Sequence, residues 1–124
     1  MVVDTGIFIE HLRAKKKDAT TFFRYFGEFN LFASAVTIYE LHMGANSEEK
    51  RNDVAIITGD ITVLPFSNDV ACKAAEIYHE LKRKNKMIEF RDIFIAATCI
   101  VYDMPILTLN KKHFQRVEGL RIQI

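Results

Sequence analysis

Short, almost wholly apolar runs alternate along this chain with longer stretches in which apolar residues recur every three or four positions. The runs at residues 1–3, 30–34, 61–64 and 106–108 are too short for helices and read as buried strands. Pro65 closes the third, and Pro105 introduces the fourth. Thr5 is the expected N-cap of a helix running to Leu12 or Arg13, with Ile7, Phe8, Ile9 and Leu12 on its apolar face. Residues 15–18 form a polar connection. Residues 19–28 are amphipathic, with Phe22, Phe23 and Phe26 at helical spacing. A helix opening near Ser34 or Thr37 carries Glu40 in its first turns and ends about Gly44 and Ala45. Another spans residues 48–58, with Gly59 as terminator. Asn68 or Asp69 caps a long helix with Ala71, Ala74, Ala75, Tyr78 and Leu81 on one face. Residues 92–102 form a nearly all-apolar helix, residues 111–114 a short helical turn, and residues 120–124 an edge strand.

Short apolar strands alternating with helices predict an α/β fold: a central parallel sheet of four to five short strands with helices on both faces. In such sheets the functional crevice lies beyond the carboxyl ends of the strands. Asp4 ends the first strand, Glu40 follows the second across a short turn, and Asn110 follows the strand at 106–108. These three converge on one edge, and Asp92 joins them if its helix begins there.

Bulk composition narrows the class. The 124 residues fit one domain, 1–124, with no linker, repeat or low-complexity tract. No apolar run approaches the ~20 residues of a membrane span, and the N-terminus lacks a basic segment and cleavage site. A cytoplasmic protein with no membrane association is expected, with Cys72 and Cys99 as buried free thiols. A net charge of +1 argues against a surface built wholly for polyanions. The basic residues are nevertheless clumped at Lys15-Lys16-Lys17, at Lys82-Arg83-Lys84 with Lys86, and at Lys111-Lys112 with Arg116. Such patches contact phosphates or simply face solvent at helix ends.

The candidate chemistry lies in three acids embedded in apolar segments: Asp4, Glu40 and Asp92. A carboxylate in such surroundings costs several kcal/mol unless a cation or hydrogen bonds compensate it. Singly, Asp4 and Asp92 read as helix caps and Glu40 as an exposed helical acid. Jointly, they suggest one shared hard cation, Mg2+ or Mn2+. Other chemistries find no support. His11, His42, His79 and His113 show no zinc-like pairing, and His113, beside Phe114, reads as structural. There is no phosphate-binding glycine loop, and Ser34 and Ser67 lack a base partner.

Four segments together resemble the PIN-domain family (PilT N-terminus), in particular the VapC-type toxins of prokaryotic toxin–antitoxin pairs. They are Val2-Val3-Asp4-Thr5-Gly6-Ile7-Phe8-Ile9-Glu10; Ser34-Ala35-Val36-Thr37-Ile38-Tyr39-Glu40-Leu41 with Gly44-Ala45; Ile88 with Asp92-Ile93-Phe94-Ile95-Ala96-Ala97-Thr98; and Pro105-Ile106-Leu107-Thr108-Leu109-Asn110 with His113-Phe114. The resemblance covers essentially the whole chain and implies a single PIN-like nuclease domain. It implies a Mg2+-dependent (or Mn2+-dependent) endoribonuclease acting on RNA, tRNA or rRNA, and neutralised by a cognate antitoxin. It also implies a homodimer. Asp4 and Asp92 would ligate the metal directly, and Glu40 would bind through water or act as base. Among the catalytic residues, Asn110 holds the fourth position and orients the site. In the resembled toxins an early helix, here the aromatic stretch Phe22, Phe23, Phe26, Phe29 and Phe32, holds the antitoxin.

Two positions depart from the family pattern, Gly6 and Glu89, and at a third, Asp in many members and Asn in others, this chain carries Asn110. Gly6 replaces the usual Asn or Ser, removing a hydrogen-bonding side chain. Glu89 stands where glycine is common, and is expected to face solvent. Asn110 is neutral where many members carry Asp, which favours one tightly held ion over two. A PIN nuclease of RNA processing or DNA ends without an antitoxin is the alternative within the enzymes, and a protein-binding module with a decayed site is the alternative outside them.

Overall fold

The computed structural model describes residues 1–123. Its strands are β1 (Val2–Val3), β2 (Phe32–Ser34), β3 (Thr62–Leu64) and β4 (Ile106–Leu107). Its helices are α1 (Thr5–Arg13), α2 (Thr21–Phe26), α3 (Ala35–Gly44), α4 (Glu48–Thr58), α5 (Asn68–Arg83), α6 (Phe90–Val101) and α7 (Lys111–Phe114), with a 3-10 turn at Lys17–Ala19. The strands pair in the order β3-β2-β1-β4, all parallel. Val2 lies opposite both Phe32 and Ile106, and Val3 opposite Leu107.

Because side chains alternate across a strand, adjacent residues feed opposite cores. Val2 and Ile106 belong to one, with Val70, Ala74, Ile77 and Leu81 of α5, Ile93 and Ala97 of α6, and Phe114 of α7. Val3, Ala33 and Leu107 belong to the other, with Ile7 and Phe8 of α1, Phe22 of α2, Leu41 of α3 and Val54 and Ile57 of α4. A sheet covered on both faces needs strands that are apolar at every position, and β1 and β4 are fully buried on that account. The expected α/β architecture, with four strands, is the observed one.

Several local expectations are corrected. Thr5 is the first residue of α1; Asp4 is its N-cap, accepting from the Thr5 N–H. Ser67, not Asn68 or Asp69, caps α5, its hydroxyl accepting from Val70 N–H at 3.2 Å. The buried face of α5 is Val70, Ala74, Ile77 and Leu81, while Ala71 and Ala75 are exposed and line an open hollow beside α6. Cys72 is exposed, whereas Cys99 is buried and its thiol is pushed up to about 12, chiefly by burial. Asp92 sits inside the first turn of α6 rather than capping it, because that helix starts two residues earlier. α2 is shorter than the amphipathic stretch around it, and Phe23, Phe26 and Phe29 remain exposed. The expected terminal strand is reduced to a parallel bridge between Ile122 and Ile106, with Ile124 outside the described residues. Among the described residues no helix is long and apolar enough to cross a membrane.

Candidate active site

At the carboxyl edge of the sheet, the neighbouring strands β1 and β4 deliver Asp4 and Thr108 side by side. The Asp4 N–H donates to the Leu107 carbonyl at 2.9 Å, which fixes the approach. Asp4 is only 7% exposed. Its Oδ1 accepts from the Thr5 N–H at 2.8 Å, and its Oδ2 from the Thr108 hydroxyl at 2.7 Å. Thr108 has one hydroxyl proton, and its oxygen accepts from the Asn110 N–H at 2.9 Å. That backbone bond therefore aims the Thr108 proton at Asp4. Burial raises the Asp4 carboxyl above its ordinary value; the two hydrogen bonds oppose this, and the charge of Glu40 adds to it.

Glu40 comes from the second turn of α3, where its side chain is 14% exposed. Its Oε1 accepts from the Thr5 hydroxyl at 2.9 Å. Behind Thr5 stands a buried hydroxyl row: Thr37 Oγ1 at 3.0 Å, then Ser34 Oγ 3.3 Å from Thr37. A carboxylate only accepts, so the Thr5 proton turns to Glu40 and the hydroxyls behind it orient in turn. The other oxygen, Oε2, pairs with Arg91 Nη1 at 3.2 Å.

Asp92 is raised to about 6 by burial first, then by the charges of Asp4, Glu89 and Glu40, with His113 opposing. Its position in the first turn of α6, where a helix favours anions, does not offset those effects. His113 Nδ1 lies 3.9 Å from Asp92 Oδ2 and 2.7 Å from Asn110 Nδ2. Asn110 thus turns its side chain to His113 and its backbone to Thr108. Glu89 is exposed and pairs with Arg91 at 3.1 Å.

The four sequence-identified residues gather at one edge, with mutual charge effects among Asp4, Glu40 and Asp92. Arg91, His113, Thr5, Thr37 and Thr108 complete the surroundings. Sequence reasoning assigned these five no role in the chemistry. The signals available were the Thr directly after Asp4, the Thr three residues before Glu40 and the Arg preceding Asp92.

The donor set is oxygen-only and anionic, which suits a hard divalent cation. A cation would also relieve the effects that raise Asp4 and Asp92. As the side chains stand, however, no three His, Cys, Asp or Glu residues among those described form a ready-made metal cluster. Glu40 has both oxygens engaged, by Thr5 and by Arg91. Asp4 likewise has one hydrogen bond on each oxygen, but from neutral donors, whereas Glu40 is paired with a cation; Asp4 and Asp92 are therefore the carboxylates best suited to hold an ion directly. A groove of about 230 Å³ leads from Glu40 between α1, α3 and α4, lined by Ile9, Leu12, Leu41 and Val54 with the charged Arg13, Lys50 and Asp53. A larger hollow of about 330 Å³ between α5 and α6 contains no acid and has apolar walls, including Phe66, Tyr78, Phe90 and Phe94.

Known proteins share this chain's sequence pattern and fold over nearly its whole length. Residues 1–120 match the family model described as PIN domain. The chain is 30% identical to Ribonuclease VapC1 of Rickettsia felis, covering 98% of this chain and 93% of the relative. Its fold is similar to VapBC from Salmonella typhimurium in a DNA-bound crystal structure (TM-score 0.84, 25% identity, 98% and 95% of the two chains). It is also similar to VapBC2 of Rickettsia felis bound to a fragment of its promoter (TM-score 0.87, 20% identity, 98% and 96%).

Proposed function

The chain belongs to the PIN-domain family, and from that premise we propose that it is a metal-dependent endoribonuclease, the toxin of a toxin–antitoxin pair. The observation that carries the reading is the pair Asp4 and Asp92 brought together at the carboxyl edge of a parallel sheet, each raised from its ordinary value by burial and by the charge of neighbouring acids. The relatives' names support ribonuclease activity, and the VapBC assemblies support an antitoxin partner.

Mg2+, with Mn2+ as substitute, is the ion we assign to Asp4 and Asp92. When bound, it supplies positive charge against the phosphate and makes a water molecule more nucleophilic. The chain's own residues do the rest. Thr108 and the Thr5 N–H fix the Asp4 oxygens, so the carboxylate does not rotate when substrate arrives. Glu40, oriented by the Thr5 hydroxyl, accepts the proton of the attacking water. The water oxygen forms the new P–O bond as the bond to the leaving oxygen breaks. Asn110 contributes through its N–H, which keeps Thr108 aimed at Asp4. The groove from Glu40 past Arg13 and Lys50 offers a path whose cations meet phosphates. A homodimer agrees with the apolar hollow between α5 and α6, where Phe66 and Phe90 remain exposed.

The test is cleavage of tRNA and rRNA pools with Mn2+ or Mg2+. Wild type should cut, and Asp4→Asn and Asp92→Asn should lose on the order of 100-fold or more. Full metal-dependent cleavage by both variants would refute the assignment. One observation favours a second reading, a binding module without catalysis: the engagement of both Glu40 oxygens. Calorimetry showing no Mn2+ uptake would select it.

A further inference from the structure

We propose that Arg91 is the resident counter-cation of this site and competes with the divalent ion for Glu40. This rests on reading Asp4, Asp92 and Glu40 as the carboxylates that serve that ion. Arg91 spans two acids of unlike character. Nη1 meets Glu40, a largely buried carboxylate of the site, while Nη2 meets Glu89, which is exposed. The guanidinium is itself about half exposed and adjoins Asp92 in the first turn of α6. It therefore stands where an acidic edge meets solvent.

The geometry accounts for the missing third ligand. Thr5 donates to Glu40 Oε1 and Arg91 pairs with Oε2, so Glu40 already carries a cation as the side chains stand. Each oxygen keeps a lone pair beside its one partner, but an ion drawing on Glu40 would meet the like charge of Arg91, and one cation must give way. Thr5 is a short buried side chain, continuous with the row Thr37 and Ser34. Arg91 is long, solvent-facing and already anchored to Glu89, so it can leave Glu40 and keep a partner. Arg91 is the partner that yields. Its charge persists at every pH in question, since a guanidinium does not deprotonate in proteins. The competition is therefore between two cations for one carboxylate, not a titration.

The experiment is calorimetric Mn2+ titration of the metal-stripped full chain: wild type, Arg91→Gln and Arg91→Lys, each also on a Glu40→Gln background, with Asp4→Asn as the site control. Arg91→Gln should tighten Mn2+ binding several-fold, because the ion no longer has to displace a part-exposed ion pair from Glu40. Arg91→Lys, which keeps the charge but loses the fork, should fall between. On the Glu40→Gln background the gain should disappear, because the shared carboxylate is gone. Unchanged or weaker binding by Arg91→Gln overturns the proposal, and so does an equal gain without Glu40. If wild type binds Mn2+, Asp4→Asn does not, and Arg91→Gln changes nothing, the metal site stands and only the role of Arg91 falls. If no variant binds Mn2+, the metal reading fails and takes this proposal with it.

Discussion

Asp92→Asn should stabilise the metal-free protein while abolishing its chemistry. In the folded chain the Asp92 carboxyl titrates at about 6, against 3.8 for the ordinary group. At about 1.36 kcal/mol per pH unit, that difference makes the ionised form cost roughly 3 kcal/mol at neutral pH. The carboxyl keeps about a fifth of its side-chain surface in water. Solvent screening therefore reduces the expected cost to about 1–2 kcal/mol. Asparagine has the shape of the protonated acid and no charge. Its substitution should raise Tm by roughly 5 °C in a chain of this size at pH 7.5 with EDTA present.

The pH dependence fixes the sign. A group whose folded pKa is raised favours the folded state most below its unfolded pKa. That stability is lost as pH climbs from 3.8 through about 6. Wild type should thus approach the variant's stability on acidification, and the variant's advantage should shrink several-fold by about pH 4. Thermal unfolding followed by circular dichroism at both pH values reads this directly. Mg2+ or Mn2+ should raise the wild-type Tm and leave the variant's nearly unchanged. An Asp92→Asn chain no more stable than wild type at pH 7.5 would refute the reasoning, as would an advantage independent of pH.

Two further substitutions probe the frame around the acids. Thr108→Val removes the donor to Asp4 and the acceptor for Asn110 N–H; denaturant unfolding should show a loss of about 1–3 kcal/mol, and the acid limb of the cleavage profile should move to higher pH. Gly6→Asn should be accepted without loss, because a Cβ there meets no atom within 4 Å; Tm should hold or rise slightly, as asparagine is the better helix former, and single-turnover cleavage should match or exceed wild type.

The fold was legible because burial dictates composition. Strands covered on both faces are apolar, as the buried β1 and β4 are, and the largely apolar runs at 1–3, 30–34, 61–64 and 106–108 each overlap a strand; β3, at the sheet edge, exposes Thr62 and Val63. The caps were less legible. Thr5, Asp4, Ser67, Asn68 and Asp69 all carry an oxygen suited to capping, and only backbone geometry decides which one meets an N–H. The buried face of α5 was misread for a related reason. Alanines at 71 and 75 satisfy a helical apolar pattern as well as Val70 and Ile77 do, but the larger side chains win the core because they remove more apolar surface from water.

The acids stood out because carboxylates in apolar segments are expensive, but what compensates them was hidden by residue type. Thr5 reads as a helix cap and Thr108 as an ordinary β-branched strand residue, although their hydroxyls bond Glu40 and Asp4. Asn110 was singled out for its side chain, yet its backbone N–H is the group that acts on the acids, through Thr108. An Asp at the same position would present the same N–H. The neutrality of Asn110 thus bears on His113, which its side chain meets at 2.7 Å, more than on the aim of Asp4. Its effect on Asp92 then passes through His113, whose nearness already opposes the rise of that carboxyl. A substitution at 110 should therefore be read through Asp92 titration first and through Asp4 geometry second.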